Sequence, residues 1–141
     1  MPVFFHTEDL NFSFNRRRIF KKWIRFIVED HGFRLGSINI IFTSNEYLLA
    51  INKEYLNHNY YTDVITFEYN EEKLISGDIF VSVEQVRLNA ITYPGSFESE
   101  LNRVVIHGVL HLLGFKDSTA KEKENIRGEE DKALLLLNKV E

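Results

Sequence analysis

The stretch His107-Gly108-Val109-Leu110-His111-Leu112-Leu113-Gly114-Phe115-Lys116-Asp117 constrains this chain more than any other. In a helix, residues four apart share one face a turn apart, so His107 and His111 present both imidazoles to the same point. Gly114 can take a left-handed backbone at little cost and end the helix, letting the chain turn back and offer Asp117 as a third ligand. Two neutral imidazoles and a carboxylate leave a divalent metal an open position, the arrangement of a hydrolytic site rather than a structural one. The alternative is an ordinary core helix, since histidines four apart occur by chance, Leu110, Leu112 and Leu113 suit a core, and Asp117 could be a surface loop residue. The whole pattern H-x3-H-x2-G-x2-D favours the metal, because face, turn and return are separate geometric needs and all three are met.

The same spacing resembles that of the metzincin peptidases, H-E-x-x-H-x-x-G-x-x-H or D, in which the Glu after the first His is the general base. Here that position is Gly108, which can take no proton from water. Peptide hydrolysis would need a base from elsewhere.

With 141 residues and 44% hydrophobic composition, the chain suits one domain, residues 1–141, around a single core. It has no cysteine, so a metal must bind through nitrogen and oxygen. No signal peptide and no apolar run near the roughly 20 residues of a membrane span is evident, and the expectation is a soluble, cytoplasmic protein. A net charge of −4 speaks against coating nucleic acid through a bulk positive field. A local basic cluster does exist: Arg16, Arg17, Arg18, Lys21, Lys22 and Arg25. It reads either as a solvated helix face or as a phosphate-contacting patch in which Arg17 and Lys21 bind substrate.

Apolar periodicity predicts the elements. Val3 to His6 reads as a strand, Asn15 to Asp30 as an amphipathic helix, Ser37 to Thr43 as a strand, and the segment after Ser44 and Asn45 as a helix running to about Asn57. Asp63 to Tyr69 and Asp78 to Val83 read as strands that pair antiparallel across a polar loop. A short helix from Glu84 to Ala90, a break at Pro94-Gly95, and a helix opening at Ser96 follow. That last helix is apolar on most faces, which predicts burial and places the histidines in an enclosed cleft. A final helix after Thr119 packs on the rest. The predicted fold class is α+β: one domain, a mixed sheet of about four strands with helices against it, and the metal site on a central helix and the loop after it.

Four segments, taken together, resemble the YbeY family of bacterial rRNA maturation factors: Asn52-Lys53-Glu54-Tyr55 with Thr62-Asp63-Val64-Ile65-Thr66-Phe67; Gly77-Asp78-Ile79; Glu100-Leu101; and His107 to Phe115. The likeness spans almost the whole chain. It implies a metal-dependent, single-strand-specific endoribonuclease acting in ribosomal RNA processing at the 16S 3′ end and in ribosome quality control. The implied partners are single-stranded RNA and the small ribosomal subunit, with neither DNA nor membrane. The family's ligands are three histidines; His107 and His111 match two, and the third falls at Asp117. The family's Tyr-Asp before that ligand is Phe115-Lys116 here, and an arginine thought to bind the RNA phosphate is Leu56.

A leucine cannot hold a phosphate. Arg103, four residues before His107, and Lys116, beside Asp117, are the candidates for the missing charge, with a surface salt bridge as the alternative for each. Thr62, Asp63 and Asp78 read either as turn-fixing residues or as substrate contacts. The expected chemistry is phosphodiester hydrolysis by a water acidified at the metal. Zinc is the first expectation, and the carboxylate ligand makes Mn2+ or Mg2+ less remote. Two further readings are a metallopeptidase and a non-catalytic, ribosome-associated metal-binding module. If Asp117 were not a ligand, His58 would be the next residue to consider.

Overall fold

The computed structural model describes residues 3–92 and 95–140, in the order β1 (Val3–Thr7), α1 (Arg17–Asp30), β2 (Arg34–Thr43), α2 (Asn45–Leu56), β3 (Val64–Glu68), β4 (Leu74–Ser82), α3 (Val83–Thr92), α4 (Phe97–Leu112) and α5 (Ala120–Val140). The strands form one sheet in the order β1-β2-β4-β3. β1 and β4 both run parallel to β2, while β3 is antiparallel to β4 with Val64 opposite Val81 and Phe67 opposite Asp78. The sheet is therefore mixed, as the sequence implies.

Side-chain alternation in the strands decides which helix covers which face. Ile38, Ile40 and Phe42 of β2 and Ile75, Ile79 and Val81 of β4 are buried in one core with α1, α4 and α5. α1 contributes Phe20, Trp23, Ile24, Ile27 and Val28 from a single stripe and leaves Arg17, Arg18, Lys22 and Arg25 exposed. Burying side chains of this size stabilises the fold by about 1.5–3 kcal/mol each. The Trp23 indole N–H donates to the Ala133 carbonyl at 2.8 Å, which ties α5 to α1 without leaving a buried donor unmatched. The opposite sheet face carries α2 and a smaller buried group, Ile41, Leu48 and Ile65.

Two strands start earlier than their sequence pattern suggests. β2 begins at Arg34 rather than Ser37, and β4 at Leu74 rather than Asp78. Consequently the link from β3 to β4 is a tight turn in which Glu72 has φ +53° and Glu71 bridges Leu74. Ser44 caps α2, its hydroxyl accepting from the Tyr47 N–H. Of the expected break before α4, Pro94 lies outside the described residues, and Gly95 has φ +145°.

Candidate metal centre

α4 is fixed at both ends by local chemistry. At its start, the Ser96 hydroxyl accepts from the Ser99 N–H and the Ser99 hydroxyl from the Ser96 N–H, with Glu98 and Glu100 in the first turn where the helix dipole favours carboxylates. At its end, Gly114 takes φ +103°. Its N–H donates to the His111 carbonyl and that of Phe115 to the Leu110 carbonyl, the paired bonds of a Schellman stop. The chain then doubles back, and the Phe115 carbonyl accepts from His111 Nδ1 at 2.9 Å. The turn that ends the helix thus also orients a histidine.

His107 is oriented from another element. Its Nδ1–H donates at 2.6 Å to Oε2 of Glu130, a carboxylate on α5 that is 3% exposed. With both Nδ1 atoms donating, the lone pair of each neutral ring falls on Nε2, and the two Nε2 atoms lie 2.9 Å apart. Asp117 Oδ2 lies 3.2 Å from His107 Nε2 and 3.3 Å from His111 Nε2. Ligands at the 2.0–2.2 Å distances of a tetrahedral divalent metal sit about 3.3 Å apart, so the donor triangle has the size a metal requires. Its chemistry fits as well: two imidazole nitrogens and one carboxylate oxygen converge while their outer atoms are held by protein partners.

Charge around the triad is unevenly distributed. Burial by itself would lower the His107 pKa, but the hydrogen bond and charge of Glu130, with Asp117 and Asp63 behind, raise it above the ordinary histidine value. Burial would raise Glu130, yet the hydrogen bonds from His107 and Arg103 hold it below the usual glutamate range. Asp63 goes the other way: desolvation pushes its carboxyl up, and His107 only partly offsets this. Asn89 donates to Asp63 at 3.0 Å and to Glu100 at 3.4 Å, so one amide bridges two carboxylates beside the site.

Two open clefts meet at the triad and share Asp63, Val64, His107 and Asp117. The first, about 300 Å³, runs toward α5 and is walled by Arg103, Lys123, Arg127 and Glu130. The second, about 320 Å³, runs toward the end of α2 and the loop after it, past Leu56, His58, Tyr60 and Thr62. The histidines stand at 22% and 24% side-chain exposure, so they line an open cleft rather than the enclosed one expected. Gly108 faces away from the triad, into the sheet. A Cβ there would lie 2.7 Å from Ile79 Cγ2 and 3.4 Å from both Thr66 and Val64, so no Glu fits at that position.

The remaining sequence candidates fall in different places. Arg103 lines the first cleft, but its guanidinium is engaged by Glu130 at 2.7 Å and Asp131 at 2.8 Å. Lys116 is exposed and borders a separate hollow with Phe115, Glu122 and Glu129. Arg17 and Lys21 sit on α1, outside both clefts. Thr62 and Asp63 are at the site, whereas Asp78 is on the other sheet face, accepting from Asn39 at 3.1 Å and from the Tyr69 hydroxyl at 3.1 Å. Glu130 was absent from the sequence candidates. Its signal is a charge on an apolar stripe: Ile126, Glu130, Ala133 and Leu137, the four buried residues of α5, recur at helical spacing.

Comparison with known proteins converges on one answer. Residues 3–138 match the family described as Endoribonuclease YbeY. Proteins of that name from Parabacteroides distasonis and Cytophaga hutchinsonii are 40% identical over 97% of this chain and 96% of theirs, and 43% identical over 95% and 94%. A solution structure of a Thermotoga maritima protein superposes with a TM-score of 0.69 at 27% identity, covering 95% of this chain and 88% of that one. A match running nearly end to end, over a fold whose helix and return loop bring two histidines and an aspartate together, makes this chain a member of the YbeY endoribonuclease family.

Proposed function

We propose that this chain is a metal-dependent endoribonuclease that hydrolyses phosphodiester bonds of single-stranded RNA during ribosomal RNA maturation, with His107, His111 and Asp117 as its metal ligands. The observation that carries the reading is the preformed triad, whose donor atoms lie 2.9–3.3 Å apart in a chain of this family. Zinc is the metal that a two-nitrogen, one-carboxylate set favours, with Mn2+ or Mg2+ next because of the carboxylate. The ribosomal small subunit is the proposed source of the RNA and the cytoplasm the proposed location; no helix of the described residues is long and apolar enough to cross a membrane.

When bound, the metal supplies Lewis acidity toward a phosphoryl oxygen and toward water. The chain's own residues do the rest. Glu130 keeps the His107 proton on Nδ1 and so keeps Nε2 available, and the Phe115 carbonyl does the same for His111. Asp63, common to both clefts and with its pKa raised by burial, is placed to take up the proton that hydrolysis releases. Thr62 is a substrate contact in the second cleft, while Arg103 acts through Glu130 rather than on RNA.

Purified protein analysed for metal and incubated with single-stranded RNA, duplex RNA and casein tests the proposal. Cleavage of the single strand alone, abolished by chelation and restored by metal, is expected. Casein cleavage without RNA cleavage would make the protein a peptidase, against which the packing at Gly108 argues. RNA binding without cleavage by metal-loaded protein would make it a binding module.

A further inference from the structure

We infer that Lys123 and Arg127 of α5 form the phosphate clamp of this site, holding the RNA backbone on the α5 side of the triad and supplying the positive charge that Leu56 cannot. This rests on the endoribonuclease reading. The two residues are one helical turn apart, and Glu130, which orients His107, follows on the same face. Both line the first cleft together with His107 and Asp117, and both are exposed.

What sets them apart is that their charge is uncommitted. The third cation of that cleft, Arg103, spends its guanidinium on Glu130 and Asp131. Among the described residues, the side chains of Lys123 and Arg127 have no hydrogen bond or ion pair; Arg127 only feels the charge of Glu100 at longer range. The second cleft, where Leu56 lies, has no Lys or Arg in its lining. Positive side-chain charge at the triad is therefore one-sided.

The acidic groups of the first cleft do not cancel it once metal is bound. Counted as fully charged, the four carboxylates Asp63, Glu100, Asp117 and Glu130 face the three cations Arg103, Lys123 and Arg127, an excess of one negative charge that a divalent ion more than offsets. With a dication at the triad, an anion entering this cleft meets a net attraction. A phosphodiester is the anion the reaction brings there, and a guanidinium beside an ammonium suits its two free oxygens.

The test is the salt dependence of binding to a fluorescent single-stranded oligoribonucleotide by metal-loaded protein, with cleavage kinetics in parallel. Lys123→Gln with Arg127→Gln should lower the slope of log affinity against log salt by about 1.4, the share of two phosphate contacts on a single strand, and raise KM roughly tenfold with little change in kcat. Metal content and the melting temperature should stay as in the parent. Arg127→Lys should keep most of the slope. The charge-matched control Lys121→Gln with Lys139→Gln, on exposed positions outside both clefts, should leave slope and KM unaltered. An unchanged slope and KM in the double variant, with a parent that cleaves RNA, overturns the clamp and spares the enzyme. A parent that cleaves no RNA strikes the enzyme reading, and the slope then still decides the clamp.

Discussion

Each imidazole of the triad is useful because something else holds its far nitrogen. Glu130→Gln keeps the size of the side chain but weakens the hydrogen bond to His107 Nδ1, and should reduce metal affinity by roughly 10–100-fold in a competition titration. His111→Ala should abolish stoichiometric metal, and unchanged metal content would remove His111 from the site. Asp117 separates two outcomes: Asp117→Ala should weaken binding by about 3 kcal/mol, near one ligand's share of a zinc site, whereas Asp117→His should retain a site made wholly of nitrogens. A shell of neutral ligands leaves more charge on the metal, so any cleavage by the His variant should have a lower pH optimum. Equal affinity for the two variants would place Asp117 outside the coordination sphere. The convergence of these three side chains was legible in the sequence because helix periodicity and a glycine stop are local signals. Glu130 was not, because its partner is 23 residues away and only the fold brings α5 over α4.

At the scale of elements, α4 lies so close on β4 that position 108 admits no side chain without displacing Ile79. Gly108→Ala should destabilise the protein by roughly 1–3 kcal/mol through overpacking against Ile79, less up to about 1 kcal/mol regained in helix propensity. Gly128→Ala on α5, where a Cβ meets nothing within 4 Å, should instead stabilise by up to about 1 kcal/mol. Urea midpoints of the two variants should move in opposite directions; a shift in the same direction would contradict the packing described. The helices and the antiparallel β3-β4 pair were readable from apolar periodicity, and the Ser96 cap from its residue type. The first halves of β2 and β4 were not. Gly77 looks like punctuation in sequence, yet it sits within β4, at a point where a Cβ would come within 2.5 Å of the Phe67 carbonyl oxygen and 2.8 Å of Leu112 Cδ2. The parallel pairing of β1 and β4 with β2 is a long-range choice with no local signal.

For the whole molecule, the centre links folding to protons and to metal. The raised His107 pKa means the metal-free folded state holds that proton more tightly than the unfolded chain, so this contribution is complete below the ordinary histidine value and is lost as pH rises through the raised one. Glu130, with its pKa lowered, contributes above the ordinary glutamate value and loses that contribution as pH falls through the depressed one. The stability that Glu130→Gln removes from metal-free protein should therefore be largest between the ordinary glutamate value and the raised histidine value, in denaturation curves taken across pH. A difference independent of pH would mean that the pair is not ionised as described. Metal requires both Nε2 atoms free of protons, so its affinity should fall as pH drops through the raised His107 value. The path from Asp117 through the first half of α5 to Glu130 leaves one proposed ligand and returns to the hydrogen-bond partner of another. A dication at the triad closes that path into a ring, acting on residues 117 to 130 as a removable crosslink does, by restricting how far the segment can open. Amide protons in that part of α5 should exchange more slowly once metal is added, making the helix that carries the cations a reporter of whether the centre is filled.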